Sequence, residues 1–345
     1  MIRTFNSVTS AVISIAMVLA MFLFVTPMTT GRAEAETETA ADSSVEVLFS
    51  SGSRKITGKY VIKKDSVLPE GTTLTVKKGG KLYILPGAEL TLNGTLKVAA
   101  GGSVFVQGDM NVHKTGKISC TGRMKIQKSG CLSLDGKLAV NKGGNVLGQG
   151  TLAVLNEFSD ISCKGTVTAK IKAPDPIEKD GVTTIGGVII VNREFGLPET
   201  YGDGLDSATY SAYLKMKEAS GYNMEIVSGF RSFQKQKDTF AYWESIDGFE
   251  RASRYSAQPG HSEHQTGLAM DITSLNQSYG KTPEGKWLAA HCWEYGFLLR
   301  YPQNSEDITG YIYEPWHVRY LGKSTAKLLH DSGLTLEEFL GVNRA

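Results

Sequence analysis

The sequence has few cysteines, and it has no long apolar run beyond its N-terminus. Only four cysteines occur in 345 residues, and they are Cys120, Cys131, Cys163 and Cys292. Their spacing matches no CxxC metal pattern, which argues against a cysteine-ligated metal site. We interpret them as buried thiols that serve as small apolar residues, although an exported chain could also form disulfides. No segment after the N-terminal apolar run is long enough to span a bilayer.

The first 35 residues have the features of an export signal. Arg3 supplies a short positive segment, residues 11–25 form an uncharged apolar run, and residues 33–35 (Ala-Glu-Ala) offer a cleavage site. An uncleaved membrane anchor is the alternative, because the apolar character extends to Met28. We predict a signal peptide at 1–35 and a secreted protein, which contacts the membrane only if the signal stays uncleaved. A Glu-, Thr-, Ala- and Ser-rich flexible tether is predicted at 36–53.

Charge is distributed unevenly behind a net charge of only +2. Residues 53–172 contain 19 Lys and Arg against 7 Asp and Glu, whereas residues 173–345 contain 16 against 23. The chain length and this contrast indicate two domains, a basic one followed by an acidic one. No nucleic-acid partner is predicted.

The basic region contains an internal repeat. Glycines recur every 14 residues in two columns, Gly94, Gly108, Gly122, Gly136 and Gly150, and Gly102, Gly116, Gly130 and Gly144. Short apolar-x-apolar pairs lie between the glycines, as in strands with one inward face. We predict an all-β solenoid at 54–172 with a 14-residue rung, in which glycine supplies positive φ at the turns. A β-sandwich is the alternative, although sandwiches do not usually have a fixed repeat length.

After residue 172 the repeat stops, and a mixed helix and strand pattern begins. We predict a linker at 173–181 and an α+β domain at 182–345. Polar residues that require explanation fall in three segments of this domain, 228–232, 260–271 and 313–317.

These segments contain the groups that a hydrolytic zinc site needs. Such a site uses three protein ligands, a free position for water and a base that is not a ligand. His264, Asp271 and His317 can supply two imidazoles and a carboxylate, and Glu314 lies three residues before His317. Because residues three apart face opposite ways on an ideal strand, a bend or bulge is predicted beside Pro315 to turn both side chains inward.

The same segments resemble the D-alanyl-D-alanine carboxypeptidases of the vancomycin-resistance type and their LD-carboxypeptidase relatives. The family pattern S-x-H-x-x-G-x-A-x-D is complete at 262–271, E-x-W-H at 314–317 and S-G-[YF]-R-S at 228–232. The resemblance covers residues 182–341 and excludes the solenoid. It implies the α+β zinc peptidase fold that is shared with hedgehog domains.

The resemblance also implies roles for seven residues. It assigns zinc binding to His264, Asp271 and His317, acid–base catalysis to Glu314, and substrate binding to Arg231, Ser262 and Gln236. The expected activity is removal of the C-terminal D-alanine from peptidoglycan stem peptides. LD-carboxypeptidase action on tetrapeptide stems, endopeptidase action and a non-catalytic binding module remain alternatives. The basic solenoid would then either bind anionic wall polymers such as teichoic acids or act as a stiff spacer.

Overall fold

The computed structural model describes residues 45–342, which belong to one compact unit. The predicted signal peptide at 1–35 lies outside the described residues, as do residues 36–44 of the predicted tether. Across residues 45–342, the structure contains no helix with the length and apolar character needed to cross a membrane.

Short parallel strands build the N-terminal part of the described chain. They are β1 (Glu46–Val47), β2 (Ser53–Ile56), β3 (Lys59–Ile62), β4 (Ser66–Leu68), β5 (Thr73–Val76), β6 (Lys81–Ile84), β7 (Glu89–Leu92), β8 (Thr95–Val98), β9 (Ser103–Val106), β10 (Asp109–Val112), β11 (Lys117–Cys120), β12 (Arg123–Ile126), β13 (Cys131–Leu134), β14 (Lys137–Val140), β15 (Asn145–Gly148), β16 (Thr151–Val154), β17 (Ile161–Cys163), β18 (Thr166–Val167) and β19 (Lys170–Lys172). Each strand pairs with the strand three positions along the chain, so three parallel sheets form three faces. Face A begins with β1, face B with β2 and face C with β3. The predicted β-solenoid is confirmed.

The rung of this solenoid is longer than the predicted 14 residues. Lys81 pairs with Ser103, 22 residues later, and Lys117 pairs with Lys137, 20 residues later. A rung therefore contains three strands, whereas one 14-residue glycine period covers only two. The sequence repeat marks a pair of strands, and the number of strands in a rung depends on how sharply the chain bends at each corner.

The recurring glycines also have a different cause from the one predicted. None of the glycines in the two 14-residue columns has a positive φ. Instead, a Cβ at Gly108 would lie 2.3 Å from the carbonyl oxygens of Ala88 and Leu85, and a Cβ at Gly116 would lie 2.1 Å from that of Leu92. Glycine is needed because the backbones of consecutive rungs approach closely at the corners.

The solenoid core consists of the inward side chains of all three faces. Leu82 and Ile84, for example, are fully buried. Cys120 and Cys163 also point inward and are buried, whereas Cys131 is half-buried on face A. All four cysteines lie in the described part of the chain and are free thiols. With Cys292 buried in the second domain, the buried-thiol interpretation is confirmed for three of the four.

The C-terminal part is an α+β fold, as predicted. A small antiparallel sheet comes first, formed by β20 (Ile177–Lys179), β21 (Val182–Ile185) and β22 (Val188–Ile189). Within the described residues, seven α-helices follow, α1 (Ser207–Ser220), α2 (Phe233–Asp247), α3 (Phe249–Ala252), α4 (Pro283–His291), α5 (Glu306–Thr309), α6 (Lys323–Ser332) and α7 (Leu336–Leu340). The central sheet has the antiparallel order β23 (Ile226–Ser228), β24 (Ala269–Ile272), β26 (Glu314–Tyr320), β25 (Phe297–Tyr301). β20 lies within residues 173–181, the predicted linker.

Helices α6 and α7 cover the C-terminal end of the solenoid. Leu328 and Leu329 of α6 belong to the same buried apolar cluster as the solenoid core. The ring of Phe339 in α7 lies 4.8 Å from the ring of Phe158, which follows β16. An open solenoid end would expose apolar side chains, so this packing replaces a separate capping repeat.

Candidate active site

Three side chains from separate segments converge at the centre of the second domain. His264 lies on a 3-10 turn that ends at Gly267, where a Cβ would come 2.3 Å from the carbonyl oxygen of Gly204. Asp271 and His317 are cross-strand partners on β24 and β26. One potential ligand atom from each of the three side chains lies within 4.8 Å of the other two, and all three residues are buried.

Hydrogen bonds on the far side of each imidazole orient it. Nδ1 of His264 donates to the carbonyl oxygen of Gly229 at 2.7 Å, which leaves Nε2 facing Asp271 Oδ2 at 3.2 Å. For His317 the arrangement is reversed, with Nδ1 lying 3.1 Å from Asp271 Oδ1 and Nε2 facing Glu263 Oε2 at 3.3 Å. Two imidazole nitrogens and a carboxylate therefore point at one position.

The electrostatics of this cluster favour a positive charge, which is either a proton on His317 or a metal ion that replaces it. Burial opposes ionisation of Asp271, but His264 and His317 outweigh it and hold the pKa of that carboxyl well below its usual range. Burial also opposes protonation of His317, yet its bonds to Asp271 and Glu263 raise its pKa to about 9. The pKa of His264 is lowered by burial. Two histidines and one carboxylate are a typical donor set for a zinc ion, so the residues present fit this metal.

Glu314 lies beside the cluster, at the start of β26. Its Oε2 is 3.9 Å from His317 Nδ1, and burial together with the charge of Asp271 raises its pKa to about 8. The bulge predicted beside Pro315 is present, because the pairing of β25 with β26 shifts between Leu299 and Tyr301. This irregularity turns Glu314 and His317 to the same side of the sheet.

Arg231 extends towards the same position from the loop after β23. Its Nη2 lies 3.8 Å from Asp271 Oδ2 and donates to Ser228 Oγ at 3.1 Å, while its Nη1 donates to Gln236 Oε1 at 3.0 Å. These contacts hold the guanidinium in one orientation at the edge of the cleft.

Ser262 and Gln236, the other two residues predicted to bind substrate, lie in different surroundings. Ser262 lines the cleft. Gln236 is fully buried behind Arg231, and its amide also donates to the carbonyl oxygen of Ala257 at 2.5 Å. The sequence predicted that Gln236 contacts the substrate directly. Gln236 does not line the cleft, so in this position it can hold Arg231 in place but cannot reach a bound peptide.

A cleft of about 810 Å³ opens in front of the cluster. Arg231, Ser262 and Glu314 line it, together with the aromatic and apolar side chains of Trp243, Tyr255, Leu275, Tyr311 and Trp316. Such a space can hold a short extended peptide next to the metal-binding position.

Sequence reasoning missed a buried group of charged residues behind the cluster. Glu263, Arg300, Arg319 and Glu337 are all fully buried. The available signal was an arginine within each of two apolar strand sequences, β25 and β26, where a charge requires a buried partner.

Comparisons with known proteins match the second domain to carboxypeptidases. Residues 204–323 match the family model for VanY, described as D-alanyl-D-alanine carboxypeptidase. The chain is 39% identical to YodJ of Bacillus subtilis, which bears a carboxypeptidase name, over 46% of this chain and 70% of YodJ. It is 36% identical to a D-alanyl-D-alanine carboxypeptidase of Enterococcus faecium, over 33% of this chain and 35% of that protein.

A solved structure gives a similar match. The L,D-carboxypeptidase DacB from Streptococcus pneumoniae is 35% identical and has a TM-score of 0.46, covering 50% of this chain and 98% of its own. The family model begins at residue 204, so the solenoid lies outside it.

Proposed function

The chain belongs to the VanY family of D-alanyl-D-alanine carboxypeptidases, and we propose that it uses zinc to remove the C-terminal residue from peptidoglycan stem peptides. The observation that carries this proposal is the convergence of His264, Asp271 and His317 within 4.8 Å. Glu314 and Arg231 border the same position. A bound zinc ion would supply a Lewis acid that polarises the scissile carbonyl and makes a water molecule acidic enough to attack at neutral pH.

Glu314 is suited to move protons in this reaction. A carboxyl whose pKa lies near the working pH can both accept and return a proton. Without metal, burial raises the pKa of Glu314 to about 8, and the positive charge of a bound cation would lower it from there. We assign Glu314 to accept the proton of the attacking water and then to donate it to the leaving amine. Its carboxyl lies on the cleft side of the cluster, where water and substrate can reach it.

Arg231 provides the selectivity for a free C-terminus. A guanidinium binds a carboxylate through two parallel hydrogen bonds, which fixes the orientation as well as the position of the peptide end. Gln236 and Ser228 already hold Arg231 in place, so little side-chain freedom is lost when substrate binds. A terminal residue anchored in this way would place the preceding peptide bond in front of Glu314.

The proposal is tested by incubating the purified protein with pentapeptide and tetrapeptide stems, with and without a chelator. Mass spectrometry should show chelator-sensitive loss of one terminal residue. Loss from the pentapeptide alone indicates DD-specificity, and loss from the tetrapeptide indicates LD-specificity. Cleavage of cross-bridges in chromatography of digested muropeptides would replace this proposal with an endopeptidase, and no cleavage of either kind would remove the enzyme assignment.

Export is a further part of the proposal. It is supported by the signal-like residues 1–35 and by a substrate class that is outside the cell membrane. The N-terminal sequence of the protein recovered from the culture medium or the wall tests it directly. A mature N-terminus near residue 36 is expected, whereas a full-length membrane-bound form would indicate an uncleaved anchor.

We also propose that the solenoid binds anionic wall polymers through faces B and C. Their strands contain Arg54, Lys55, Lys97, Lys117 and Lys137 on face B, and Lys59, Lys81, Arg123 and Lys125 on face C. On face A, strands β4, β7, β10, β13 and β16 contain no Lys or Arg, and they contain Glu89 and Asp109, whereas Lys170 and Lys172 lie on β19 at the C-terminal end of this face. The charge asymmetry favours a polyanion over a uniformly solvated spacer.

The register of the strands strengthens this argument. Lys117 lies directly beside Lys137, and Lys59 directly beside Lys81, on neighbouring rungs. Strands in a sheet are only about 4.8 Å apart, so these ammonium groups repel each other unless an anion lies between them. A polymer with repeated phosphates would relieve this repulsion along the whole face.

Replacement of Lys97, Lys117 and Lys137 by Gln tests the surface. Retention of this variant on purified walls should fall, and its remaining retention should depend less steeply on salt. The matched control replaces three exposed lysines of the second domain, Lys215, Lys237 and Lys286, and should leave retention unchanged. Two results would support the spacer role instead. One is equal retention of the two variants, and the other is retention of the wild type that is the same on intact walls and on walls stripped of anionic polymers.

A further inference from the structure

A buried ion network lies directly behind His317. Glu263 Oε1 accepts hydrogen bonds from Arg300 Nε at 2.9 Å and from Arg319 Nη1 at 2.7 Å. Arg300 also donates through Nη1 to Glu337 Oε2 at 2.9 Å. The four side chains are at most 1% exposed. The network therefore contains two positive and two negative charges with almost no contact with water.

Stability alone is a poor explanation for such a network. Removing four charged groups from water is costly, and well-packed apolar residues of similar volume often stabilise a fold as well or better. The network also has an asymmetric feature. Glu263 uses only one carboxylate oxygen for the two arginines, and its other oxygen points at the metal-binding cluster.

That second oxygen contacts His317. Glu263 Oε2 lies 3.3 Å from His317 Nε2, on the opposite side of the ring from Asp271. An ionised carboxylate can only accept hydrogen bonds, so Nε2 must carry the proton of a neutral His317. The lone pair is then on Nδ1, which is the nitrogen that faces the proposed zinc position.

We propose that Glu263 is a positioning residue that selects the metal-binding tautomer of His317 and fixes the orientation of its ring. Arg300 and Arg319 hold the Glu263 carboxylate in place from behind. The inference rests on the proposed zinc-dependent function. Groups of this kind orient a metal ligand without touching the metal, and their loss commonly weakens metal binding.

Glu263→Gln in the full chain is the sharpest perturbation. The Gln oxygen can still accept from the two arginines, so the amide NH₂ would face His317 Nε2. This would force Nε2 to accept and would put the proton on Nδ1, where it blocks the metal. We expect the affinity for zinc, measured by competition with a chromogenic chelator, to fall about 10- to 100-fold.

Glu337→Gln is the matched control. It removes one negative charge from the same buried network and from the same Arg300, but Glu337 does not contact His317. Zinc affinity close to that of the wild type is expected for this variant. Equal losses of affinity in both variants would overturn the inference, because the network would then act only as structural support.

Measurements on the wild type test the proposed function, and measurements on the two variants test the role of Glu263. Wild-type protein that binds zinc tightly and cleaves stem peptides upholds the function whatever the variants do. Failure of the wild type to bind zinc would remove both. Thermal unfolding of each variant without metal shows whether a loss of affinity reflects a loss of folded protein.

If the Glu263→Gln variant does not fold, the zinc-loaded wild type with ¹⁵N-labelled histidine still decides the matter. We expect one histidine coordinated through Nε2 and one through Nδ1, and the Nε2–H of the second should exchange slowly with water because it is bonded to a buried carboxylate. Coordination of both through Nε2, or exchange as fast as that of the exposed His113, would contradict the inference.

Discussion

Replacing Glu314 by Gln should abolish most of the peptidase activity without releasing the metal. The side chain is only 7% exposed, so an amide of the same shape preserves the packing. Its nearest oxygen is 3.9 Å from His317 Nδ1, whereas Asp271 Oδ1 is 3.1 Å away, which places Glu314 beside the ligand set. An amide cannot accept the proton of the attacking water. General acid–base groups contribute about 10²- to 10⁴-fold to a rate, which corresponds to about 3–5 kcal/mol in the barrier.

The assay is steady-state release of the terminal amino acid, together with metal analysis of the same preparation. We expect kcat to fall by about 10²- to 10⁴-fold, with one zinc per chain retained. Glu294→Gln, an exposed residue paired with His291, serves as the control and should leave kcat unchanged. A Glu314→Gln protein that keeps its zinc and retains more than about a tenth of the wild-type kcat would refute the proposed acid–base role.

Three further predictions concern substrate binding, folding and pH. Arg231→Lys should lower kcat/KM for free-carboxylate peptides by about 10- to 100-fold, since charged hydrogen bonds contribute about 1.5–3 kcal/mol, and an equal loss on amidated peptides would contradict the role of Arg231. Gly108→Ala should destabilise the protein to thermal unfolding by about 1–3 kcal/mol, whereas Gly58→Ala, whose Cβ would meet nothing within 4 Å, should not. Metal-free protein should lose stability as the pH rises. This fall is expected between pH 6.5 and 9, because the raised pKa of Glu314 costs stability up to about pH 8 and that of His317 up to about pH 9. Below pH 6.5 the lowered pKa of His264 acts in the opposite direction. Unfolding midpoints that do not fall between pH 6.5 and 9 would contradict these pKa values.

The sequence alone indicated the solenoid but not its geometry. A fixed glycine period with apolar alternation between the glycines favours stacked short strands over a sandwich, so the type of fold could be predicted from local pattern. The period counts residues along the chain, whereas the rung depends on how many strands close one turn in space. The close approach at Gly108 likewise involves Leu85 and Ala88 of the preceding rung, and no property of the local sequence reports it.

Part of the candidate site could likewise be predicted from the sequence, and part of it could not. Complete motifs predicted His264, Asp271, His317 and Glu314 as one site, because each motif lies within a dozen consecutive residues, and the structure brings these four side chains together. Their roles as zinc ligands and acid–base group are those that the family resemblance implies. The place of Gln236 behind Arg231, and the network from Glu263 to Glu337, appeared only in the tertiary structure. Contacts of Glu263 join residues 37 to 56 positions apart. Which side chains meet across such distances is decided by how β24, β25 and β26 pair and by where α7 packs, and these depend on the fold as a whole.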